Sequence, residues 1–236
     1  GAMAHWLRRV DRRAAQRVTR FVANSTHVAK RIEQHYGRRA SVIHPPVAVE
    51  RYDREFETRD HVLVVARPFP YKRVDLVIEA CNALGLPLVV VGDGTDRSRL
   101  ERIAGPTASF RGWVPEAEKE ELIGSARVLV APQVEDFGIA TVEAIAAGTP
   151  VLSLRAGGAL DIVKEGVNGA FFDEQSAEAV RAALAAFDEK AFDVTRMRCS
   201  VQGFAGARFG AALRACAADL VAEAAVDAPQ SSPRDA

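Results

Sequence analysis

From residue 61 onward, short unbroken apolar runs alternate with stretches whose apolar positions recur every three or four residues. Residues 61–66, 86–91, 108–110, 128–131 and 151–153 read as strands, and residues 74–84, 95–103, 116–123 and 138–147 as helices. A strand with one face in water alternates apolar and polar, so strands apolar at every position are buried on both faces. With helices between them they predict an α/β fold on a doubly wound parallel sheet. Past Phe172 the pattern turns helical, at 176–187 and 204–225. Residues 227–236 then lose it to Pro, Gln and Ser and are expected to be disordered.

Before residue 61 the pattern is different. Leu7, Val10, Ala14, Val18 and Phe21 recur at steps of three and four, which predicts an amphipathic helix with arginines on its other face. A short apolar run at 21–23 follows. Ser25 or Thr26 then caps a helix through Val28, Ile32 and Tyr36 that stops at Gly37. Two adjacent prolines, Pro45 and Pro46, make 42–47 an extended connector, and the polar stretch 50–60 reads as a linker.

Composition changes this picture only locally. At 48% hydrophobic and 26% charged the chain is an ordinary globular one, which excludes disorder, collagen and coiled coil. Lys+Arg and Asp+Glu balance at 31 each, so no whole-chain field favours nucleic acid. Residues 1–40, however, hold ten basic and two acidic side chains. That helix is either a solvated face or a contact for an anionic membrane surface or acceptor. No apolar run approaches the roughly 18 residues of a membrane span. Cys81, Cys199 and Cys216 show no pairing motif, so a reducing cytoplasm is expected. Gly1-Ala2-Met3 reads as a cloning remnant, which makes a longer parent protein the expectation.

A doubly wound sheet binds ligands outside the carboxyl ends of its strands, so the loops after those runs are the places for chemistry. After Ala66 comes Arg67-Pro68-Phe69-Pro70-Tyr71-Lys72-Arg73. A guanidinium forks onto two phosphate oxygens and a lysine adds a compact charge, so this loop suits a diphosphate, or else is solvated surface. Gly92-Asp93-Gly94 is a fragment of a dinucleotide fingerprint, and a tight turn with no ligand accounts for it as well. After Ala131, Glu135 and Glu143 flank a predicted helix start whose N–H groups near Gly138 and Ile139 can hold an anion. Carboxylates accept from vicinal hydroxyls, so the pair suits a ligand with both phosphate and hydroxyls. The alternative has Glu135 and Asp136 as helix-dipole partners and Glu143 in a surface ion pair.

Taken together, residues 135–143 followed by Ala144-Ile145-Ala146-Ala147-Gly148-Thr149-Pro150-Val151 resemble the E-x7-E signature of retaining glycosyltransferases of the GT-B fold, family 4. Other segments fall in family order. Arg67 to Arg73 resembles the loop that holds the donor diphosphate, and Val91-Gly92-Asp93-Gly94 the V-G-x-G turn. Phe110-Arg111-Gly112-Trp113-Val114 resembles the strand and loop that receive the base, and Gly157-Gly158 to Gly169 the closing glycine stretch. The resemblance spans roughly residues 20–210 and implies a Rossmann-like sheet, the C-terminal half of a GT-B fold. It implies catalytic roles for Arg67 and Lys72 on the pyrophosphate and for Glu135 on sugar hydroxyls. It implies donor binding by Gly92, Trp113, Val114, Phe137, Gly138, Ile139 and Glu143. Within that set the backbone at Trp113 and Val114 meets the base, the amides of Gly138 and Ile139 meet phosphate and sugar, and Glu143 holds the ribose. No metal and no other cofactor is implied, since the cations take a metal's place and no Asp-x-Asp site is present.

The departures also matter. Family members carry an N-terminal acceptor domain of similar size, and residues 1–48 correspond to its remnant and connector. Residues 49–226 correspond to the nucleotide-sugar donor-binding domain. Donor binding with little or no transfer by this chain alone is therefore expected. Gln133 stands where the family commonly has serine. Residues 70–80 most resemble bacterial mannosyl- and deoxysugar transferases of surface polysaccharide assembly, which favours a GDP-mannose-like donor over a UDP-sugar. The implied acceptor is a polysaccharide, lipid-linked or other glycan, met in the cytoplasm or at the inner face of the membrane. The alternatives are a nucleotide-binding module without transfer and an epimerase-like enzyme.

Overall fold

In the computed structural model residues 1–57 and 60–226 are described, without the side chains of Ala2 and Val226, so the predicted disordered tail at 227–236 lies outside the described residues. The chain opens with helix α1 (Ala2–Gln16) and a small unit of strand β1 (Phe21–Ala23), helix α2 (Thr26–Tyr36) and strand β2 (Ala40–Val42), which pairs parallel to β1. Ser25 caps α2, its hydroxyl accepting from the Val28 N–H at 3.1 Å. The apolar stripe predicted to run on through Val18 and Phe21 is cut short. Arg38 donates to the carbonyls of Ala15 and Val18, closing the end of α1 as a C-terminal cation does. Phe21 instead stacks on Tyr36, and Met3, Trp6, Leu7 and Val10 are exposed.

A six-stranded parallel sheet follows, made of β3 (His61–Val65), β4 (Leu88–Val91), β5 (Ala108–Gly112), β6 (Ala126–Ala131), β7 (Val151–Leu154) and β8 (Gly169–Phe172). Their spatial order is β5-β4-β3-β6-β7-β8. The helices are α3 (Val74–Leu84), α4 (Arg97–Ile103), α5 (Glu116–Gly124), α6 (Ile139–Ala147), α7 (Ala159–Ile162), α8 (Ala177–Ala186), α9 (Val194–Val201) and α10 (Gly206–Val226). Continuous apolarity of the strands is explained by two cores. Val62 and Val64 face one with Ile78 of α3, Leu100 of α4 and Val180 of α8. Leu63 faces the other with Ile123 of α5, Ile145 of α6 and Met197 of α9. Such a two-sided sheet is the Rossmann-like arrangement predicted from the sequence.

Besides the short elements β2 and α7, other parts differ from the reading of the sequence. Strand β8 was not expected, because four residues starting at a glycine give almost no pattern. Helix α9 was missed because Met197 and Val201, four residues apart, are its only buried side chains. The stretch read as a linker begins with a 3₁₀ turn, Val49–Tyr52, that buries Tyr52 to 1% exposure in the core containing α6. Among the described residues no helix is long and apolar enough to cross a membrane.

Candidate functional site

At the boundary between β3 and β6 the strand order reverses, and the loops leaving these two strands diverge. Between them lies a cleft of about 550 Å³, lined by Arg67 and Lys72 on one side and by Gln133, Glu135, Phe137, Gly138 and Ile139 on the other. Asn24 and Pro45 of the N-terminal segment complete its rim.

Local chemistry sets each wall. Pro68 and Pro70 stiffen the loop after β3, which ends in a 3₁₀ turn at Pro70–Lys72. Arg73 then takes a left-handed φ of 51°, uncommon for a residue with a Cβ, and its guanidinium goes to Asp75 at 3.3 Å. Of the three loop cations, Arg67 and Lys72 therefore line the cleft, and Arg73 serves the start of α3. On the opposite wall Gly138 has φ 112° and precedes α6, whose first N–H groups have no acceptor within the helix. Gly158 lies so close to this loop that a Cβ there would meet the Phe137 Cα at 2.4 Å. Its N–H donates to the Glu135 carbonyl at 2.8 Å, so the glycine stretch before α7 fixes the backbone that carries Glu135.

Lys72 and Glu135 pair directly: Lys72 Nζ donates to Glu135 Oε1. The same oxygen accepts from Gln133 Nε2 at 2.8 Å. The Lys72 ammonium also lies 5.0 Å from the centre of the Tyr71 ring. Cation and carboxylate thus neutralise one another at the mouth of the sheet.

Past Arg67 a second chamber of about 290 Å³ opens, lined by Val91, Gly92, Trp113, Val114, Glu116 and Lys119. Trp113 is 79% exposed at its edge. Glu143 is 8% exposed and linked to this chamber through Lys119, whose Nζ donates to Glu143 Oε1 at 2.9 Å and pairs with Glu116 Oε1 at 2.8 Å. Burial disfavours the Lys119 ammonium, but the two carboxylates outweigh it and raise its pKa. Burial, with Glu143, Glu116 and Glu120 nearby, also pushes the Tyr52 phenol well above its usual range.

Arg67, Lys72, Glu135, Phe137, Gly138 and Ile139 are thus brought together at the first cleft, and Gly92, Trp113 and Val114 at the second. Arg67 belongs to both. Glu143 reaches them only by way of Lys119. Phe137 is 4% exposed and packs against a tilted His44 ring and edge-to-face with Phe204, so its ring anchors the loop. His44 Nε2 lies 3.0 Å from Asp161 Oδ2, which also accepts from the Thr26 N–H at 2.7 Å. Burial acts against the Asp161 carboxylate, yet these hydrogen bonds hold its pKa below the usual range. The reading of the sequence missed Lys119, Asn24, Pro45 and this latch. Only the Glu116/Lys119 spacing on one helix gave a signal. Among the described residues no group of three or more His, Cys, Asp or Glu side chains is placed to hold a metal ion.

A doubly wound sheet with cations, carboxylates and a helix start at its switch point has the form of one half of a GT-B fold. Residues 50–202 match the family glycosyl transferases group 1, and the chain belongs to that family. It is 33% identical to the D-inositol 3-phosphate glycosyltransferase of Geodermatophilus obscurus, over 70% of this chain and 45% of that protein. It is 39% identical to a GDP-mannose-dependent alpha-mannosyltransferase of Mycobacterium tuberculosis, over 42% of this chain and 26% of that one. The chain therefore spans less than half the length of these relatives. Among solved structures, Anabaena HepE in complex with UDP-glucose superposes with a TM-score of 0.77 at 20% identity, covering 90% of this chain and 67% of that one. Sucrose-phosphate synthase of Thermosynechococcus elongatus gives 0.80 at 17% identity, covering 92% and 62%. At such identities the likeness is one of fold.

Proposed function

We propose that this chain is the donor-binding half of a retaining glycosyltransferase that moves a hexosyl or deoxyhexosyl group from a nucleotide-diphosphate sugar to a glycan or lipid-linked acceptor. In this reading residues 1–48 belong to the acceptor domain and the connector from it, and 49–226 to the donor domain. The observation that carries it is the first cleft, where Arg67, Lys72, Glu135 and the start of α6 line one space at the switch point. A ligand with two phosphates and several hydroxyls uses all of them. The base and ribose enter the second chamber beside Trp113, Val114 and the Lys119–Glu143 pair, the diphosphate lies along Arg67 and Lys72, and the sugar meets Glu135.

Charge builds on the leaving diphosphate as the glycosidic bond breaks. Arg67, Lys72 and the amides of Gly138 and Ile139 stabilise it, so the two cations do the work a divalent metal does in other transferases. Among the described residues no side chain stands out as a nucleophile, and the acceptor attacks on the face the diphosphate leaves. Transfer needs the acceptor side, so this chain alone binds donor and transfers little. A GDP-mannose-like donor is favoured by relatives named as GDP-mannose-dependent mannosyltransferases, while solved neighbours in complex with UDP keep a UDP-sugar in contention. A cytoplasmic site at an anionic membrane belongs to the same reading, through the arginines of α1 beside exposed Met3, Trp6 and Leu7.

Thermal-shift and calorimetric titration with GDP, UDP, ADP, GDP-mannose, UDP-glucose and NAD tests it. One nucleoside diphosphate and its sugar should raise Tm selectively. Stabilisation by NAD alone, or by none of the six, would overturn the reading.

A further inference from the structure

Gln133 is 6% exposed, lines the first cleft and makes one hydrogen bond, from Nε2 to Glu135 Oε1 at 2.8 Å. Its Oε1 is buried and has no hydrogen-bond partner among the described residues. The orientation of the carboxamide is fixed by its neighbour, because the reversed amide would set oxygen against the Glu135 carboxylate. A buried acceptor without a donor is costly, and because Gln133 lines the cleft, a small turn of its carboxamide on ligand entry brings that acceptor to a ligand hydroxyl.

In the unliganded protein Glu135 Oε1 takes two donors, Lys72 and Gln133. A diphosphate competes for Lys72 by offering it more charge than one carboxylate does. Once Lys72 turns to phosphate, Gln133 is the donor left on Glu135.

We infer that Gln133 is a donor-sugar contact and specificity residue: its Nε2 holds Glu135 toward the sugar while its Oε1 accepts a sugar hydroxyl. This rests on the sugar-nucleotide reading of the cleft. A merely structural Gln133 would fill space, and its replacement would act on every ligand alike. A sugar-reading Gln133 acts on the nucleotide sugar and not on the bare nucleoside diphosphate.

The experiment is calorimetric titration of the wild-type chain and of Gln133→Leu and Gln133→Glu with GDP, GDP-mannose, UDP and UDP-glucose, with Tm recorded for each protein. Gln133→Leu keeps similar volume and removes both hydrogen bonds. It should bind the nucleoside diphosphate within about twofold of wild type and the preferred nucleotide sugar roughly tenfold more weakly, the scale of the one lost hydrogen bond to a sugar hydroxyl. Gln133→Glu sets a second carboxylate against Glu135 and should lose more on the sugar nucleotide. Should one variant fail to fold, the other carries the measurement. Equal losses for nucleotide and nucleotide sugar, or no loss for either, overturn the role of Gln133 while the sugar-nucleotide reading stands. A wild-type chain that binds none of the four ligands removes that reading first, and the role of Gln133 with it.

Discussion

Each glutamate of the E-x7-E segment is held by a lysine, but the two pairs are built differently. Glu135 sits on a loop with its side chain 30% exposed, and its partner Lys72 comes from another loop across the cleft. Glu143 sits on the second turn of α6 with its side chain 11% exposed, and its partner Lys119 is fixed on α5 together with Glu116. The lysines reverse that order, Lys72 being 12% and Lys119 20% exposed, so the contrast lies in the supports: two loops part at little backbone cost, whereas a pair mounted on two packed helices resists losing either member. The loop pair is therefore suited to opening around a ligand. The helix pair is suited to staying shut, so that a ribose reaching Glu143 does so beside Lys119 rather than in place of it.

The largest effect that sharpens this contrast concerns the cations of the first cleft. Arg67→Ala and Lys72→Ala should each weaken nucleoside diphosphate binding about 10- to 100-fold, since a charged hydrogen bond contributes about 1.5–3 kcal/mol. Calorimetry at fixed salt measures this, and wild-type affinity in either variant would reduce the loop to solvated surface. Next in size is the helix pair. Lys119→Met leaves the Glu143 carboxylate buried with no cation. It should destabilise the free protein by about 2 kcal/mol, discounted from the fully buried case because Lys119 keeps some exposure. At this chain length that is a Tm loss of about 4–8 °C. The pKa of Lys119 is raised by folding, so its contribution is complete at neutral pH and below and is lost as pH rises through the raised value. The Tm gap between wild type and Lys119→Met should accordingly close toward alkaline pH. A gap that stays constant with pH would assign the loss to packing rather than charge.

Much of this site was legible in the sequence because its residues follow the ends of unbroken apolar strands. Val64, Val65 and Ala66 mark where Arg67 and Lys72 leave the sheet, and Val130 and Ala131 do the same for Glu135. What was not legible depends on contacts between distant segments. Lys119 meets Glu143 across 24 residues, and Thr26 meets Asp161 across 135. No periodicity encodes either contact. Tyr52 was misread for a related reason: its surroundings in sequence are polar, and only the packing of α6 above it explains its burial. Gln133 was noted only as a departure from serine, and its buried, unpartnered oxygen became visible only in three dimensions.

The smallest expected effect is the one that separates the two pairs. Glu135→Gln removes the charge from the loop pair, keeps its shape and releases Lys72. Because Glu135 is nearly a third exposed, the free protein should change stability by less than about 1 kcal/mol, well under the loss for Lys119→Met. Lys72 no longer has a carboxylate to leave, so a bare nucleoside diphosphate should bind as tightly as to wild type or a few-fold tighter. The nucleotide sugar loses a carboxylate acceptor and should not share that gain. Paired Tm and calorimetric measurements on this variant decide the matter. If Glu135→Gln instead costs as much stability as Lys119→Met and weakens both ligands equally, the loop pair is a structural clamp like its counterpart, and the cleft does not open by exchange of Lys72.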